Sequence, residues 1–190
     1  MTRPYELKQR AVRQAETRRR IVAATVELHS STGPARTTIS AIAQRAGVQR
    51  HTVYAHFANE RSLFEACTAH WASLHPFPDP TPWLALADRD ERLGATLRGI
   101  YGWYRTVELE LEIFERDAKL HAETAEAVAR RKERTRALRD ELARDWPRRK
   151  PVLAALGHAF EFETWRSLVR DQGLTPPQAA DAMLRFVASV

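Results

Sequence analysis

The stretch Thr37–Phe57, TTISAIAQRAGVQRHTVYAHF, decides how the chain folds. Its spacing describes two short helices meeting at a tight turn: Ala43 lies four residues before Gly47, and Val53 lies six after it. Alanine lets two helix backbones approach, and glycine enters positive φ without a Cβ penalty, so Gly47 ends one helix and re-aims the chain into the next. Val53 is then placed to pack back on Ile39, Ile42 and Ala43. The opposite face of the second helix carries Gln49, Arg50, His51, Thr52, Tyr54 and His56. That face is rich in hydrogen-bond donors and holds no carboxylate, a composition suited to phosphates and base edges.

Working outward, a first helix is expected over about Glu16–Ser31, with Ile21, Ala24, Thr25 and Leu28 on one face, stopped by Thr32, Gly33 and Pro34. Thr37 or Thr38 is positioned to cap a helix over Ile39–Ala46. The groove-reading helix follows at about Arg50–Phe57, and Asn59 caps a longer one over Glu60–Leu74.

The pattern TTIS, AIA, AGV, TVY and HF followed by ANERSLFEA resembles the DNA-binding domain of the TetR family of bacterial transcriptional regulators, over Arg18–Ala66. The resemblance implies phosphate contacts from Thr38, Thr52, Tyr54 and His56, and base readout from Gln49, Arg50 and His51. Arg50 is the strongest base reader, because a guanidinium donates two parallel bonds to guanine. The sequence departs from the family at Glu60, where a phosphate-binding lysine commonly opens the fourth helix. A carboxylate there repels phosphate but suits a helix N-terminus, and Arg61 is the candidate replacement.

Charge supports the same partner. Residues 1–65 hold 11 Lys/Arg against 5 Asp/Glu, whereas 66–190 hold 19 of each, so the net +6 arises entirely at the motif end. Phosphate neutralisation needs such local density. Arg3, Lys8, Arg10, Arg13, Arg18, Arg19 and Arg20 form a basic arm able to reach DNA backbone or minor groove, without assigned base contacts. The first twenty residues lack the apolar core of a signal peptide, no apolar run approaches the ~20 residues of a membrane span, and Cys67 is the sole cysteine. A cytoplasmic protein without a disulfide is expected.

The proline-rich His75–Pro82 separates an expected head, residues 1–74, from a helical body, residues 75–190. Leu93, Leu97, Ile100, Tyr101, Tyr104 and Val107 make one apolar face of a helix over Asp90–Val107. Further helices are expected over Leu109–His121, within Ala122–Asp145, and over Val152–Gln172 and Pro176–Ser189. The fold class is therefore all-α, a three-helix head and a helical body, about nine helices in all.

The resemblance implies a small-molecule pocket in the body. Tyr101, Tyr104, Phe114 and Trp165 are its candidate lining, and Glu108, in a run with Glu110 and Glu112, suggests a cationic lipophile. Apolar positions Leu153, Leu156, Phe160, Met183, Leu184 and Val187 suit helix-to-helix packing in a homodimer interface. No HExxH, Walker loop, GxGxxG or GxSxG occurs, so neither catalytic residues, a metal nor a cofactor is expected. The reading is a homodimeric repressor of a pseudo-palindromic double-stranded operator, released by a small hydrophobic or cationic effector. The alternatives are a DNA-binding regulator without an effector, and a helical enzyme or carrier.

Overall fold

A computed structural model describes residues 3–190, with side chains from Lys8 onward; Arg3 of the basic arm thus has its side chain outside the described residues. Eleven α-helices succeed one another: α1 (Arg3–Ser31), α2 (Ile39–Ala46), α3 (Arg50–His56), α4 (Glu60–Leu74), α5 (Thr81–Leu84), α6 (Arg89–Thr106), α7 (Glu108–Asp117), α8 (Ala122–Leu142), α9 (Lys150–Ala159), α10 (Phe162–Arg166) and α11 (Pro176–Ser189). Among the described residues there is no strand, so the all-α expectation holds with more helices than anticipated.

Packing gathers these helices into two compact units, neither continuous in sequence. Residues 1–76 and 109–128 form the first, and residues 77–108 and 129–190 the second. The first unit is built on α1, which packs on α2 and α4. Ile21, Ala24, Ile39, Ile42, Ala43, Val53, Phe57 and Leu63 close its core, so Val53 reaches the partners its spacing predicts.

Local signals place the helix ends. Thr38 caps α2, its hydroxyl accepting from the Ala41 amide at 3.2 Å, while the Thr37 hydroxyl donates to the Gly33 carbonyl at 2.7 Å. Gly47 ends α2 at φ 64°, the left-handed conformation that glycine takes most cheaply. Asn59 and Ser62 form a reciprocal capping box at the start of α4. The first helix departs from expectation, beginning at Arg3 instead of about Glu16. No glycine or proline interrupts residues 5–32, so nothing in the chain stops the helix where its apolar periodicity ends.

In the second unit α6 presents Leu93, Leu97, Ile100, Tyr101 and Tyr104 to the core, joined by Val107 at its C-terminal cap, all fully or nearly fully buried. It packs on α5, α10 and α11, and α11 also packs on α9. Thr175 and Gln178 form a second capping box at the start of α11. The helix expected over Val152–Gln172 is interrupted: α9 ends at Ala159, α10 starts at Phe162, and Ser167–Asp171 wind as a π-helical turn. The interruption is stabilised from α6. Tyr101 donates its hydroxyl to the Ala159 carbonyl at 2.7 Å and Tyr104 to the Phe160 carbonyl at 2.8 Å, satisfying acceptors that a helix end leaves open.

Candidate nucleic-acid interface

The candidate interface lies in the first unit, on the outer face of α3. Val53 is 1% exposed and fixes the helix to the core. Gln49, Arg50, His51 and Tyr54 are exposed on the far side, with Thr52 and His56 half-buried at the flank. Gln49 stands at the N-cap without a side-chain cap bond. The Arg50 guanidinium sits 5.8 Å from the Tyr54 ring centroid, a cation–π distance that holds the long side chain against its own helix.

Three carboxylates modify this face and its flank. The Tyr54 hydroxyl lies 3.5 Å from Glu60, at the outer limit of a hydrogen bond. Arg61 turns to the side, donating to Glu126 at 2.7 and 3.3 Å and to Glu65 at 3.3 Å. The charge suggested as a replacement phosphate anchor is therefore held by two acids in this structure.

Underneath, residues distant in sequence brace the turn before α2. The Asp117 carboxylate, 1% exposed, accepts from the Ala35 amide at 2.9 Å and from Arg116 at 2.7 Å. Gly33 takes φ 102°, and the Asp117 and Arg116 side chains stand where its Cβ would be, so both the backbone angle and the space demand glycine. Burial alone raises the Asp117 carboxyl, but Arg116, the Ala35 amide and Arg36 outweigh it and hold the group below the usual carboxylate range. Nearby, His29 packs against Phe64, and Phe64 against His121. Burial, reinforced by His121 and partly opposed by Asp117, lowers His29 to about 4, while burial pushes Cys67, 3.5 Å from the His29 ring, up to about 12. Cys67 is thus a buried neutral thiol. Sequence reasoning did not find the Asp117 brace, because a contact to Ala35 leaves no local trace.

In the second unit Tyr101, Tyr104 and Trp165 come together, with Tyr104 and Trp165 ring centroids 5.8 Å apart and Phe162 stacked on Trp165 at 5.5 Å. Burial also raises both tyrosine hydroxyls, Tyr104 to about 12. The Trp165 indole N–H, fully buried, meets no acceptor among the described residues. Glu108 is paired with Arg170, whose Nε donates at 2.6 Å, and that bond holds its carboxyl below the usual range despite burial. Phe114 is not part of this cluster; it belongs to the first unit, edge-on to Trp71 at 5.5 Å. Of the positions singled out for dimer contact, Leu156, Phe160, Met183 and Val187 are buried within the single chain. Leu184 is half-buried, and Leu153 is 40% exposed.

The family model described as bacterial regulatory proteins, tetR family, matches residues 21–67, covering the whole of α2 and α3 with their packing partners. This head is similar to the DNA-binding domain of that family. No curated protein matches the sequence. Among solved structures, a TetR-like transcriptional regulator from Rhodococcus sp. RHA1 superposes with a TM-score of 0.61 at 18% identity, over 90% of this chain and 93% of that one. AibR in complex with isovaleryl coenzyme A and operator DNA gives 0.60 at 24%, over 90% and 97%. NalD, the secondary repressor of the MexAB-OprM multidrug efflux pump in Pseudomonas aeruginosa, gives 0.59 at 23%, over 93% and 96%. At these identities the likeness is one of fold alone, and it covers the helical body as well as the head. Among the described residues no helix is long and apolar enough to cross a membrane.

Proposed function

We propose that the protein is a homodimeric repressor that binds a pseudo-palindromic operator through α3 and is released by a small effector held in the second unit. The observation that carries the DNA half is the donor-rich face of Gln49, Arg50, His51 and Tyr54, exposed on a helix pinned by Val53. Gln49, Arg50 and His51 read bases, with Arg50 the principal reader; Thr38, Thr52, Tyr54 and His56 position phosphates. Arg61 joins them only by releasing Glu126. Two copies related by a twofold axis present two such helices to successive major-groove faces.

The dimer forms through the outer faces of α9 and α11. Leu153 and Phe186, 40% and 45% exposed, and the half-buried Leu184 supply apolar surface there, while Leu156, Phe160, Met183 and Val187 hold the two helices within their own chain. The effector enters the cluster of Tyr101, Tyr104 and Trp165. A buried indole donor without an acceptor costs about 1–3 kcal/mol, which an effector oxygen accepting from Trp165 would recover. That favours a hydrophobic molecule bearing an acceptor; a cationic one would have to displace Arg170 from Glu108. AibR, whose structure holds both isovaleryl coenzyme A and operator DNA, illustrates the same fold serving both tasks.

Substitution at two exposed positions tests the assignment of roles. Arg50→Ala should relax base preference at one symmetric position of the bound site and cost about 1–3 kcal/mol per half-site. Tyr54→Phe should weaken all duplexes alike. An Arg50→Ala protein that lost affinity uniformly, without relaxed preference, would make Arg50 a phosphate contact.

A further inference from the structure

The helical form of the basic arm creates a site that the head alone lacks. Burial along α1 begins at Ile21; of residues 8–20, only Thr17 is partly covered. At 1.5 Å per residue, the exposed stretch 8–20 extends roughly 20 Å beyond the core. Residues 3–20 carry seven basic side chains against Glu6 and Glu16. A solvated helix of such one-sided charge repels itself and gains from a polyanion.

This extension does not run clear of the recognition helix. Gln9, Arg10, Arg13, Gln14 and Thr17, one face of α1, line an open cleft of about 560 Å³ whose other wall is Thr52 and His56, one turn apart on α3. Arg13 is steadied by Gln9 at 3.5 Å, and Arg18 lies over the Phe57 ring at 4.6 Å, which fixes the base of the extension to the head. The described lining has two guanidiniums, amides, hydroxyls and an imidazole, with no carboxylate and no aliphatic side chain. Guanidiniums, hydroxyls and amides are the groups that hold a sugar–phosphate backbone.

We infer that this cleft seats one strand of the duplex backbone, gripping phosphates between Arg10 and Arg13 of α1 and Thr52 and His56 of α3. The inference rests on the DNA-binding reading above and deepens it. It assigns Thr52 and His56 to a two-sided clamp, and it extends the contacted phosphates beyond the bases that α3 reads. The clamp sets affinity and salt dependence, not base preference.

The test uses the full-length chain, with Arg10 and Arg13 both changed to Gln and a matched Arg10→Lys, Arg13→Lys variant, titrated with salt on a random-sequence duplex. Each lost phosphate contact lowers the slope of log affinity against log salt by about 0.9. The glutamine variant should therefore lose about 1.8 from the slope per bound subunit, about 3.6 for the dimer, and at least roughly tenfold to a hundredfold in affinity at ~0.1 M salt, whereas the lysine variant retains the slope. On a duplex carrying a sequence selected by the parent protein, hydroxyl-radical footprints should lose only the protected sugars flanking each half-site. An unchanged slope and footprint in the glutamine variant, with helical content equal to the parent, would overturn the clamp. If the slope falls but the parent protein enriches no sequence from random DNA, the clamp stands and the operator-specific reading falls instead.

Discussion

At the scale of single residues, the head is governed by a few positions whose chemistry admits few substitutes. Gly47 holds φ 64° with open space around its Cα, so Gly47→Ala should cost only the left-handed penalty, roughly 1–2 kcal/mol in urea unfolding. Asp117→Ala strands the half-buried Ala35 amide and should cost about 1 kcal/mol, with the same measurement as its check. His29 titrates at about 4 in the folded chain, below the ~6.5 of an exposed histidine. The folded state therefore keeps it neutral where the unfolded chain takes up a proton. Its contribution is complete above about pH 6.5 and is lost as pH falls towards 4, on the order of 3 kcal/mol. A His29→Gln protein should show a flatter decline in Tm across that window; an identical profile would assign the acid sensitivity to other groups.

At the scale of elements, what could be read from the sequence was what is local. Thr38, Gly47, Asn59 and Thr175 each act within four residues of themselves, and the structure finds every one capping or ending the helix assigned to it. The apolar face of α6 was equally legible, because a 3.6-residue period is a property of one helix. Longer-range choices were hidden. Apolar spacing in α9 and α11 shows that a face is buried but not against what, and Leu156, Phe160, Met183 and Val187 turn out to pack within their own chain. Likewise, Tyr101 and Tyr104 stood out as chemistry-bearing, yet their hydroxyls are committed to the carbonyls where α9 ends. The outer surfaces of the two helices carry their own prediction: Leu153→Glu with Phe186→Glu should leave the fold intact and yield a monomer in analytical ultracentrifugation, whereas a persistent dimer would place the interface elsewhere.

At the scale of the whole molecule, the chain enters each compact unit twice. Residues 109–128 leave the second unit to brace the DNA-binding head through Asp117, Phe114, His121 and Glu126, and then return along α8. On the proposed function, a change in how the second unit holds its α6 and α8 segments would have a covalent route to the braces of the head, and the proposed effector would shift the balance by its differential affinity for two states. All of this presupposes that two copies of α3 read one symmetric site. Selection of bound sequences from random DNA by the purified full-length protein tests that claim most directly. The account predicts enrichment of an inverted repeat with half-sites about one helical turn or more apart; recovery of no preferred sequence, or of an asymmetric single site, would contradict it.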